Sequence, residues 1–221
     1  MIIKMFCESK GRDMWKKSVF LRIPLLIYNF CKGRFIIAKL QRPIVTIFGG
    51  AAIKDHYLKK TELLAECFAK KGVSVLNGGG SGIMHAASCG MYYAKQQKRT
   101  LGIGVTDVGE GKSDCLVEYV ELDSFFVRKY LLIQYSDVFV FFPGGYGTLN
   151  ELSEVLMLIQ TNKLRKLPVI LVGVEYWQSF MEWLKNEPQV HGAISQEDLN
   201  LFMVTDDLSY VCSVVTQKCK G

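Results

Sequence analysis

Between Pro43 and Gly173 the chain returns five times to a short apolar run: "PIVTIF", "VSVL", "TLGIGV", "DVFVFF" and "PVILVG". Such runs are too short for buried helices and too continuously apolar for a sheet wetted on one face, so they read as strands covered on both sides. The segments between them are helical in period. One is capped by Asp55 and stops at Gly72, one opens at the 78–82 glycines, one begins at Ser124, one runs from Thr148 to about Gln160, and one is "EYWQSFMEWLK". "EYVEL" adds a strand, and a short strand and helix are expected beyond Ser195. Alternation of this kind implies βαβ crossovers, and hence an α/β fold with a doubly wound parallel sheet and helices on both faces.

Three of the strands run straight into glycine: Gly49-Gly50, Gly78 to Gly82, and Gly144 to Gly147. In an open parallel sheet, ligands lie beyond the carboxyl ends of the strands. Glycine lets main-chain N–H groups approach a phosphate without an intervening Cβ, and the helix that follows adds its positive end. Three such loops on one sheet edge predict an anion site. "GGGSGIM" lacks the Lys-Ser or Lys-Thr of an ATP-binding P-loop and does not fit G-x-G-x-x-G, so ATPase and NAD readings fall. Thr148 and Glu151 form Thr-x-x-Glu, which reads structurally as a capping box. In a functional role Glu151 must face an uncharged part of the ligand, such as a ribose, because a phosphate at the Gly145–Thr148 turn would repel it.

Size and charge limit the remaining possibilities. A chain of 221 residues, about half of them apolar, is one domain with a buried core and room for an appendage. Residues 1–42 carry ten Lys or Arg against Glu8 and Asp13, a balance of +8, while the other 179 residues hold 17 basic and 19 acidic, or −2. The body is therefore no nucleic-acid binder. In the basic arm, the apolar stretch from Val19 to Cys31 contains Arg22, Pro24 and Asn29 and falls well short of the ~20 residues of a membrane span. No small-residue cleavage site follows it. The arm is expected to pack on the body or on a partner subunit, with reversible membrane contact as the alternative.

The seven cysteines are scattered, without Cys-x-x-Cys or a Cys/His cluster, and predict a reduced, cytoplasmic protein. His56, His85 and His191 lack metal spacing, and Cys89 reads as a small buried residue. Tyr176, Phe180 and Trp183 form a helical stripe expected in the core. Leu152, Val155, Leu156 and Ile159 form another, which Met157 and Leu158 widen into a second apolar face, so a homodimer built partly on this helix is expected.

"PGGYGTLNE" resembles the P-G-G-x-G-T-x-x-E signature of the LOG (Lonely Guy) family, proteins often mislabelled lysine decarboxylases. "FFVRKYLLIQYSDVFVFF" is similar to that family's Arg-Lys stretch, and "GGGSGIM" to its Gly-Gly-Gly-Pro-Gly-Ile-Met. The likeness runs from about Ile44 to Asp207, giving a basic arm at 1–42 and a LOG domain at 43–221. It implies a Rossmann-like homodimer that hydrolyses nucleoside 5'-monophosphates, including cytokinin riboside monophosphates or AMP, to free base and ribose 5-phosphate, with no metal or cofactor.

By the same resemblance Arg128 and Glu151 are catalytic. Gly49, Gly50, Gly79, Gly80, Glu110, Lys129, Gly144, Gly145, Tyr146, Gly147, Thr148, Leu149 and Asn150 would bind the nucleotide. The chemistry is compatible: cleaving the C1'–N bond builds positive charge on the ribose, which a carboxylate stabilises, and an arginine fork suits phosphate. The chain departs from the pattern at Ala51 and Ala52, which stand where relatives often carry Ser and Arg, and at Ser81, which replaces a proline. Ala51 and Ala52 favour the rival expectation, a non-catalytic carrier or sensor of a nucleotide or pterin-type phosphate ligand, whereas the presence of both Arg128 and Glu151 favours the enzyme. Lysine decarboxylation would need a pyridoxal-phosphate lysine, for which the sequence offers no case.

Overall fold

The computed structural model describes residues 19–106 and 111–217. After helix α1 (Val19–Ile37), strands and helices alternate as β1 (Ile44–Phe48), α2 (Asp55–Lys70), β2 (Ser74–Asn77), α3 (Ile83–Tyr93), β3 (Thr100–Val105) and β4 (Glu118–Leu122). The second half continues through α4 (Phe125–Gln134), β5 (Val138–Phe141), α5 (Tyr146–Gln160), β6 (Val169–Val172), α6 (Val174–Leu184), β7 (Met203–Thr205) and α7 (Leu208–Gln217). All strand pairs are parallel, in the order β4-β3-β2-β1-β5-β6-β7. The fold is the α/β sheet with flanking helices that the apolar runs predict.

Period-2 alternation sends the strand residues into two cores. Ile44 and Phe48 of β1, Phe139 and Phe141 of β5, and Val169 and Leu171 of β6 face one cluster, completed by Ile37 and by α4, α5 and α6. Val45, Ile47, Val138, Val140, Ile170 and Val172 face the other, covered by α2, α3 and α7. Burial on both faces is why the strands read as unbroken apolar runs. The order reverses between β1 and β5, and that reversal opens a crevice at their carboxyl ends.

Helix α1 lies on the body, against α4 and β4. Asn29 is buried, donates to an Asp123 carboxylate oxygen (3.2 Å) and accepts from the Asp123 N–H (3.1 Å). Lys32 donates to the Glu121 carbonyl at 2.8 Å, and Phe30 meets Tyr130 at 5.5 Å between ring centroids. At Gly33 a Cβ would stand 2.2 Å from Leu131 Cδ1, so any larger residue would have to displace the end of that side chain. Among the described residues no helix is long and apolar enough to cross a membrane.

Four expectations change. The N-cap of α2 is Lys54, and Asp55 is already its first helical residue. Helix α5 begins at Tyr146 with Gly145 as N-cap, so Thr148 sits inside the first turn and the Thr148–Glu151 capping box does not form. On α6 it is Trp177 that is fully buried, its indole N–H donating to the Val172 carbonyl at 3.3 Å, while Tyr176 and Trp183 are 38% and 53% exposed. A left-handed Gly173 starts the helix, and that entry fixes which face turns inward. Lastly, four cysteines are not free thiols: Cys67 of α2 is joined to Cys212 of α7, and Cys89 of α3 to Cys115. A scattered sequence spacing conceals pairs that the crossovers bring together.

Candidate active site

The crevice between β1 and β5 is closed into a cleft of about 210 Å³ by three loops. Main-chain bonds lock them together: Gly50 N–H donates to the Pro143 carbonyl (2.9 Å) and Ile83 N–H to the Gly50 carbonyl (3.1 Å). Beneath the second loop, the buried Asn77 accepts from Gly79 N–H at 2.7 Å and donates to Ser88 at 3.1 Å, which bends the chain away from β2. Gly82 then turns at φ +60°, where a Cβ would meet the Gly50 carbonyl oxygen at 2.3 Å.

Gly49, Gly50, Gly78, Gly145, Gly147 and Thr148 line the cleft together with Arg128 and Glu151. Arg128 comes from α4 and is anchored by an Nε–H bond to the Ile103 carbonyl of β3 at 2.9 Å. Its guanidinium crosses Gly78, where a Cβ would stand 2.0 Å from a terminal nitrogen. The glycine therefore makes room for the cation. Glu151 enters from the second turn of α5. The first turn of that helix presents N–H groups without a side-chain cap, which places a partial positive charge at the same cleft. Arg128 and Glu151 are 23 residues apart in sequence and share one cavity.

Other expected binding residues lie outside the lining. The Lys129 ammonium forms an ion pair with Glu154 and donates to Asn150 Oδ1 at 2.9 Å, which straps α4 to α5. Gly79 packs under the Tyr119 ring, and Gly80 is buried. Tyr146 is 93% exposed at the rim, Leu149 packs partly on the core, and Gly144 lies tight against Thr148. Glu110 falls outside the described residues.

Three contributors carried no expected role. Tyr176 donates its hydroxyl hydrogen to the Gly144 carbonyl and so holds the turn after β5. Phe125 and Met84 supply apolar wall to the cleft. Phe125 stands three residues before Arg128, about one helical turn away, a signal that could have marked it; nothing local marks Tyr176, which reaches the turn from the next crossover.

A seven-stranded parallel sheet with glycine loops, an arginine and a carboxylate around the switch-point cleft defines a Rossmann-like α/β protein. The family model described as "Possible lysine decarboxylase" matches residues 84–215. The rice (Oryza sativa subsp. japonica) probable cytokinin riboside 5'-monophosphate phosphoribohydrolases LOGL5 and LOGL9 are each 30% identical to the chain over 148 residues. These matches cover 63% and 66% of this chain, and 58% and 64% of the relatives, so the chain spans less than two thirds of their lengths. Among solved structures, the molybdenum cofactor binding protein of Rippkaea orientalis superposes with TM-score 0.62 at 22% identity, covering 81% of this chain and 99% of that one. The molybdenum cofactor carrier protein of Chlamydomonas reinhardtii gives 0.60 at 22%, over 82% and 100%. The chain belongs to the LOG family, whose members the family model describes as possible lysine decarboxylases.

Proposed function

We propose that the protein is a nucleoside 5'-monophosphate phosphoribohydrolase, which cleaves the N-glycosidic bond of a substrate such as AMP or a cytokinin riboside monophosphate. The observation that carries this reading is the meeting of Arg128 and Glu151 in one cleft floored by glycine loops. The 5'-phosphate would rest on the main-chain N–H groups of Gly145 to Thr148 and on the Arg128 fork, which is anchored through its Nε. Glu151, one turn deeper along α5, would then face the ribose. As the C1'–N bond breaks, the electron pair leaves with the base and C1' becomes cationic. A carboxylate there stabilises that charge and accepts a proton from the attacking water. Water supplies the hydroxyl at C1', the departing base takes up a proton, and ribose 5-phosphate remains.

Incubation with a panel of nucleoside monophosphates, with free base measured by chromatography, tests the proposal. Release of base by the wild type and a fall of about 10²-fold or more in kcat for a normally folded Glu151→Gln are expected. Full activity in that variant would remove Glu151 from the mechanism. A second reading, a carrier of a phosphorylated ligand, is favoured by Ala51, which forms part of the cleft wall and offers neither hydroxyl nor cation. Tight binding of a monophosphate without base release would establish it.

The chain would act as a homodimer. On α5, Leu152, Val155 and Ile159 are buried and Leu156 and Leu158 pack partly on the core, while Met157 remains 47% exposed. Sedimentation at micromolar concentration should give twice the chain mass, and a purely monomeric boundary would refute this.

A further inference from the structure

We propose that His85, Cys89 and Cys115 form a binding site for one zinc ion in the reduced protein, and that the Cys89–Cys115 disulfide is the oxidised, metal-free state of the same three residues. His85 and Cys89 stand one turn apart on α3, and the loop between β3 and β4 brings Cys115 to them. Their candidate ligand atoms all lie within 4.8 Å of one another. Zinc bound at about 2.0–2.3 Å to each ligand needs its ligand atoms roughly 3.5–3.8 Å apart. Parting of the two sulfurs after the bond is reduced, with little other rearrangement, meets that need.

The histidine is already oriented for the task. Ser113 Oγ lies 2.9 Å from His85 Nδ1 and also accepts from the Cys115 N–H at 3.3 Å. In the tautomer that donates Nδ1–H to Ser113, Nε2 is unprotonated and free to ligate, and Nε2 is the ring nitrogen nearer Cys89 Sγ, at 3.3 Å against 3.9 Å. Fixing one ring nitrogen so that the other can ligate is the usual outer-shell arrangement at metal-binding histidines. Two thiolates and an imidazole select a borderline-soft ion such as zinc over magnesium or calcium. Both cysteines are buried, while His85 is exposed, which gives the ion an entry path and leaves a fourth position for water.

None of the three residues lines the nucleotide cleft, so this site does not depend on the proposed activity. Its loop is nevertheless tied to the second glycine loop, since Ser113 N–H donates to the Gly79 carbonyl at 2.9 Å. The interconversion balances. A dithiol reductant delivers two electrons and two protons to the Cys89–Cys115 bond and becomes a disulfide itself; zinc binding then releases the two thiol protons.

The test uses the full chain, reduced with a dithiol, desalted without oxygen and titrated with zinc against a chromogenic chelator. One zinc per chain is expected beyond that held by a Cys89→Ser/Cys115→Ser double variant, with cobalt substitution giving a thiolate charge-transfer band in the near ultraviolet. Ser113→Ala should weaken binding about tenfold while circular dichroism stays unchanged. Reoxidation should abolish binding. Wild-type protein that holds no more zinc than the double variant overturns the proposal. So does thiol titration showing the pair still joined after reduction of the folded protein, which would make the disulfide purely structural.

Discussion

Arg128 places its Nε on the Ile103 carbonyl, whereas the adjacent Lys129 is tied to Glu154 and Asn150, so two neighbouring cations point to different tasks. Successive helical residues diverge by about 100° around the axis, which separates the cleft from the α4–α5 strap. Arg128→Lys keeps the charge but loses the fork, and kcat/KM should fall by about 10²-fold. Lys129→Ala should leave kcat/KM within a few-fold and lower stability by roughly 0.5–1 kcal/mol, because the ion pair it forms with Glu154 is partly solvent-exposed. Steady-state kinetics and denaturant melts on both variants check this, and the reverse ranking would make Lys129 rather than Arg128 the cation that the proposed reaction needs.

At the scale of elements, α1 shows how one buried polar side chain fastens a helix. Asn29 satisfies both the N–H and the carboxylate of Asp123, the residue that leads from β4 into α4. Asn29→Ala would leave that part-buried N–H without its partner, so a loss of about 1 kcal/mol is expected. Thermal unfolding measures it, and an unchanged Tm would mean that the Asn29–Asp123 bonds contribute nothing to stability. Helix α5 illustrates the reverse: its glycine cap and uncapped first turn are weak as helix initiation, and the cost falls where a ligand anion would offset it.

Across the whole molecule, Asp206 joins α2, α6 and the end of β7, accepting from Lys60 Nζ (2.7 Å) and from the Val174 N–H (3.1 Å). Burial pushes its carboxyl up, but the hydrogen bonds from Lys60 and Val174 and the Lys60 charge outweigh that, and it is held below the ordinary 3.8. A depressed carboxylate contributes stability that is fully present above 3.8 and is lost as pH falls through the folded value. The Tm advantage of the wild type over Asp206→Asn should therefore be constant near neutrality and shrink below about pH 4. An advantage independent of pH would show that the contact acts through shape rather than charge.

The strands, the parallel sheet and the three glycine turns were legible in the residues themselves, because burial on both faces imposes apolar runs and a strand that ends against a ligand crevice requires glycine. Ser124 as the cap of α4 was legible for the same local reason, its Oγ accepting from Val127 N–H at 3.4 Å. The inward face of α6, the Tyr176 bond to the Gly144 carbonyl and the His85–Cys89–Cys115 cluster were not legible. The last two depend on where a crossover sets down a segment 26 or more residues away, a distance no local preference encodes, while the inward face of α6 follows from its left-handed entry at Gly173. Sequence determined which groups the protein possesses and on which sheet edge they emerge; tertiary packing alone decided that Arg128 faces the cleft, that Lys129 does not, and that two distant cysteines meet.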